Sequence, residues 1–235
     1  MKKTIAVVVM LAAALTMVSA KSSKKYSFTA GVHALGGIGF GSFDEDLEKK
    51  IKDNAGLSKG LGLELGGGAW VNLPLYQGLC IQPEVNYMYN TATLNTDDTT
   101  LGITTKTTET KSYSSLDIAA LFTYKVQSIN FLVGPTISIP VSKMKSVTTG
   151  TSTAGAVSTA INNENEKDIS NITFGLQAGA NTNIRFGLGQ IVAGARFMMD
   201  FNPTQNTTTS GSTTTTTDLY KRMGVIAEVG YRFAL

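Results

Sequence analysis

The residues best equipped for chemistry stand singly within apolar stretches. Glu64, Glu84, Asp117, Asp200 and Glu228 supply carboxylates, Lys125, Arg196, Arg222 and Arg232 supply cations, and Gln82 and Gln177 add amides. Almost every one has apolar neighbours on both sides, as in "IQPEVNYMY" around Glu84 or "AGARFMM" around Arg196. Charges gathered away from water must pair, because an isolated buried ion is very costly. The near balance of signs allows that. Glu84, Asp117, Arg196 and Glu228 are expected to meet as a plug of ion pairs, and the alternative use of the same groups is a narrow polar passage.

Other chemistry has less support. His33 is the single histidine. It falls on the parity opposite Val32 and Ala34, read as inward, with no Ser and Asp partners identified, so a lipid-modifying enzyme is only a remote alternative. No His/Cys cluster suggests a metal, and no cofactor is expected. "GGIGFG" (Gly36 to Gly41) lacks the Lys and Ser/Thr of a phosphate loop. Cys80 is the sole cysteine, so no intramolecular disulfide can form.

The elements that must position these groups read as strands. Leu79, Ile81, Pro83, Val85, Tyr87 and Tyr89 alternate with Cys80, Gln82, Glu84, Asn86, Met88 and Asn90. The same period of two recurs near Tyr26–Phe43, Leu61–Leu73, Leu116–Lys125, Ile129–Ile139, Ile172–Asn181, Ile191–Asp200 and Arg222–Phe233. About eight strands result. Short turns ("PLYQG", the Gln127 region, "GLGQ") alternate with long segments read as polar loops, about 91–111, 142–168 and the Thr-rich "QNTTTSGSTTTTTD". Pro83 and Pro135 cannot donate to a ladder, so a bulge or frayed pairing is expected at each.

Composition narrows the setting. The chain has 235 residues, 24 of them Gly, a net charge of +3 and 16% charged residues. So small a basic excess does not suggest nucleic acid. "MKK", the apolar run after it and "VSA" read as a cleavable export signal over residues 1–20, leaving 21–235 as one domain.

Alternation does not say which face is buried. The polar parity is full of glycine (Gly62, Gly66, Gly68, Gly134, Gly175, Gly179, Gly194, Gly224, Gly230) with a few charges between. Mixed small and large residues suit a narrow barrel interior. The other parity excludes charge, as a lipid-facing wall must. Tyr87, Tyr89, Tyr124, Tyr231 and Phe233 on that parity fit an aromatic girdle. The fold expected is all-β, a closed antiparallel up-and-down transmembrane barrel.

With its export signal, "IQPEVNY", "VAGARF" and the closing "EVGYRFAL", the chain resembles the bacterial eight-stranded outer-membrane barrels of the porin-family or opacity-protein-like group. The resemblance implies location in the bacterial outer membrane and contact with its lipids. It also implies recognition by the barrel-assembly machinery through Tyr231, Phe233 and Leu235, although the chain runs past Phe233. A structural or surface-interaction role, with an extracellular or host ligand held by the loops, is the function expected. A narrow channel for small or apolar molecules is the alternative.

Overall fold

The computed structural model describes residues 28–41, 56–76, 78–100, 102–154, 157–210 and 213–234. It consists of strands β1 (Thr29–Gly39), β2 (Leu57–Gly60), β3 (Gly62–Tyr76), β4 (Leu79–Thr100), β5 (Ile103–Val126), β6 (Ile129–Pro140), β7 (Met144–Ala154), β8 (Val157–Lys167), β9 (Thr173–Phe186), β10 (Gly189–Asp200), β11 (Thr204–Ser210), β12 (Thr213–Tyr220) and β13 (Met223–Ala234). The expected export signal lies outside the described residues.

Eight of these strands close a ring. β1, β3, β4, β5, β6, β9, β10 and β13 pair antiparallel in that order, and β13 returns to β1. The register shows how the ring closes. From Tyr89 the paired positions run through Leu65, Gly36, Ala227, Ala195, Ala180, Phe131 and Tyr124 to Leu79, ten residues from the start on the same strand. Eight strands with that stagger tilt by about 40° and enclose a barrel of roughly 8 Å radius, narrow enough for side chains to fill. Leu79 to Tyr89 then climbs about 25 Å along the barrel axis, the height of an outer-membrane apolar band.

The two ends differ. Three short connections lie at one end, with left-handed backbone at Gly78 (φ 86°), Gln127 (φ 53°) and Gly187 (φ 59°). At the other end the three long segments read as loops are strands instead. β4 and β5 stay paired from Leu79↔Tyr124 to Thr100↔Ile103. β7 pairs with the outer half of β5 and with β8, β2 pairs with β4, and β11 with β12. Beyond Ala92, Leu94 and Met144, which pack into a cluster at the barrel mouth, hydrophobic alternation fades because neither side meets lipid or core. The β-branched threonines nonetheless favour extended backbone.

Both prolines sit in straight register, without a bulge. Pairing continues on one flank, Pro83↔Ala120 and Pro135↔Leu176. On the other flank the ladder skips, between Trp70↔Glu84 and Leu73↔Ile81, and between Ala119↔Thr136 and Phe122↔Val133. Each missing N–H therefore opens one seam only.

Candidate functional site

The outer wall is apolar throughout the ring. Val32, Leu65, Phe122, Phe131, Val133, Phe174, Val225 and Val229 all face outward and are exposed. In water this would be a very large apolar patch; in a bilayer it is the lipid face. Tyr124, Tyr231 and Phe233 lie on this wall near the short turns. Tyr231 packs edge-on to Phe233 at 4.9 Å and donates to the Phe186 carbonyl at 3.3 Å. Tyr87 and Tyr89 are mid-strand, because β4 runs on to Thr100. They mark the opposite boundary, where outward residues change from Tyr89 to Thr91 and Thr93. Leu235 lies outside the described residues.

The interior is stacked in layers, in the same order along β4, β10 and β13. Nearest the short turns, Arg232 lies over the Trp70 ring at 5.0 Å, and Asn130 donates to Asn181 at 2.8 Å. Next comes the Arg196 clamp. Arg196 Nη1 reaches Glu84 Oε2 at 2.6 Å, while its Nη2 and Nε donate to Glu228 at 2.6 and 3.1 Å. His33 Nδ1 is 2.7 Å from Glu228 Oε1 and its Nε2 is 2.6 Å from Asn86 Oδ1, so both ring nitrogens are occupied. Gln82 and Asn86 donate to Glu84, and Asn181 donates to Glu228.

Above the clamp, Leu35, Met88, Met198 and Ile226, from β1, β4, β10 and β13, pack together as an apolar layer on that side of the interior. The second polar layer follows. Arg222 bonds Asp117 at 2.7 Å, Asp200 at 3.2 Å, Ser138 at 2.8 Å and Asn90 at 3.3 Å. Ser115 donates to Asp117 at 2.8 Å. Ala92, Leu94, Tyr113, Met144, Leu219 and Tyr220 then cap the mouth, with Tyr113 and Tyr220 edge-on at 6.5 Å.

Several expected placements change. Asp117 does not join Glu84, Arg196 and Glu228; it belongs to the Arg222 layer with Asp200, so there are two ion clusters with an apolar layer between them. Lys125 is exposed at the turn end of β5. Its parity points inward, but its height puts it in solvent beyond the barrel. Glu64 and Gln177 are buried without a hydrogen-bond partner for either polar side-chain atom. The Glu64 carboxylate fits against Gly39 and Gly224, where an added Cβ would approach it to 3.0 and 2.7 Å. Asn86, Asn90, Asn181, Ser115 and Ser138 complete the networks, and inward parity was their only signal. The interior apolar residues share that parity, which is why they resembled no site.

A closed, lipid-faced ring of strands with an ion-paired interior defines the class: an integral membrane β-barrel. The chain belongs to the outer membrane protein beta-barrel domain family, whose model matches residues 19–206, and its location is the bacterial outer membrane. No curated protein sequence matches it. Among solved structures it is similar to Neisserial surface protein A (14% identity, TM-score 0.37, covering 88% of this chain and 97% of that one). It is also similar to the outer membrane protein AlkL in lipid bilayers (14%, 0.43, 92% and 95%), and to the outer membrane protease OmpT from Escherichia coli (6%, 0.38, 92% and 99%).

Proposed function

We propose that the barrel is a filled anchor and that the protein works through the sheet it raises above the membrane. The observation that carries this is the unbroken pairing of β4 with β5 along 22 residues of β4. Its last ten positions, Thr91 to Thr100, extend beyond the tyrosine boundary by about another 25 Å. β2 widens this extension on one side, and β7 and β8 widen it on the other. The platform is built largely of Thr, Ser and Asn, whose hydroxyls and amides suit polar recognition of an extracellular or host surface. The layered interior supports anchoring over transport. His33, held by Glu228 and Asn86, supports a non-enzymatic role. Tyr231 and Phe233, with Leu235, are assigned to recognition by the barrel-assembly machinery.

The test is a variant in which residues 92–111, 147–164 and 205–218 are each replaced by a two-residue turn. It should still show the heat-dependent gel mobility of a folded barrel and should lose binding of intact cells to target surfaces. Full binding by the trimmed, folded barrel would refute the reading.

A further inference from the structure

A cavity of about 420 Å³ opens sideways on the outer wall at the level where the lipid band ends. Its lining includes Tyr89, Ser112, Ser142, Lys143, Lys145 and Glu166. The register explains the grouping. Thr91, Ser112, Lys145 and Glu166 are successive partners across β4, β5, β7 and β8, so they share one outward row. Tyr89 stands one outward position below, on the lipid side. Ser142 Oγ accepts the Ser114 N–H at 2.8 Å and donates to the Lys143 carbonyl at 3.0 Å, which fixes the bend between β6 and β7.

Two ammonium groups stand at the cavity, each beside a carboxylate. Lys145 lies 2.7 Å from Glu164, and Lys143 3.6 Å from Asp168. The hydrogen bond to Glu164 holds the Lys145 ammonium above its ordinary range. Both lysines remain about half exposed and can turn toward a phosphate, while Glu166 offers a carboxylate to an accompanying cation. A soluble anion would use only the lysines and hydroxyls. A lipid would also lay its chains on Tyr89, Tyr87 and the wall below.

We propose that this cavity binds the phosphorylated head group of an outer-leaflet lipid, with the phosphate on Lys143 and Lys145 and the acyl chains descending past Tyr89. The site is independent of whatever the sheet above it binds.

Native mass spectrometry of the full-length folded barrel in uncharged detergent tests this, with dioleoyl phosphatidic acid as probe and dioleoyl phosphatidylcholine and inorganic phosphate as comparisons. One phosphatidic acid should be retained per barrel, in preference to phosphatidylcholine and without competition from inorganic phosphate. K143Q/K145Q should lower retention roughly tenfold, since each basic residue near a charged lipid surface contributes about fivefold and the neighbouring acids offset part of that. Lys106→Gln, on the distal sheet beside Asp97, should change nothing. Should the double variant misfold by gel mobility, Lys143→Gln and Tyr89→Ala singly must each lower retention. Undiminished retention in the folded lysine variants, an equal loss in Lys106→Gln, or displacement by inorganic phosphate would each overturn the proposal.

Discussion

Replacing Arg196 by Met removes the cation from the centre of the clamp while keeping a side chain of comparable length. Arg196 is 1% exposed and holds two carboxylates with three hydrogen bonds of 2.6 to 3.1 Å. Without it Glu84 and Glu228 are left buried with no cation between them. Gln82, Asn86, Asn181 and His33 still donate to them, which softens the loss. Breaking a buried pair from one side costs about 3–5 kcal/mol, most of it from the stranded charge. The expected destabilisation is therefore about 3 kcal/mol or more. Neutralising the partners as well, in R196M/E84Q/E228Q, should recover most of it, because replacing a whole buried ion cluster is often close to neutral. Urea unfolding in lipid vesicles reads this directly through Trp70, the sole tryptophan, which is 2% exposed inside the ring. An R196M midpoint equal to wild type, or a triple variant weaker than the single one, would refute the reasoning.

Other outcomes follow from the same geometry. Asp117→Asn should be strongly non-additive with Arg222→Met and additive within about 0.5 kcal/mol with Arg196→Met, because Asp117 contacts only the upper arginine. Two double-mutant cycles of unfolding measurements, Asp117 with Arg222 and Asp117 with Arg196, decide it. Val229→Arg puts a charge on the lipid face and should cost roughly 2–4 kcal/mol in vesicles, whereas Lys125→Ala, at the exposed turn end, should stay within about 0.5 kcal/mol. Gly31→Ala places a methyl carbon 2.3 Å from the Trp70 ring, so it should displace that ring and shift its fluorescence.

The barrel was readable in the sequence because lipid and interior make opposite demands on alternate residues. Val225, Val229 and Phe233 could not trade places with Arg222, Glu228 and Arg232 without exposing charge to lipid. Pairing within the interior was not readable. Parity says that Asp117 and Arg196 both point inward, but only register and a ten-residue stagger say that they stand at different heights. Leu35, Met88, Met198 and Ile226 were hidden for a related reason: inward positions can be apolar without breaking alternation, since a closed barrel needs volume filled as well as charge matched. The outer strands escaped because their threonines carry β propensity but no hydrophobic period. Lys125 shows the limit of parity most plainly, since a residue on the inward side can still stand above or below the wall.

Single-channel recording of the purified, folded protein in planar bilayers tests the filled barrel most directly. The two arginine clusters and the apolar layers around them should leave the membrane without steady conductance. Large, reproducible single-channel steps at neutral pH would contradict the account, because they require a continuous aqueous path where Arg196 and Arg222 stand.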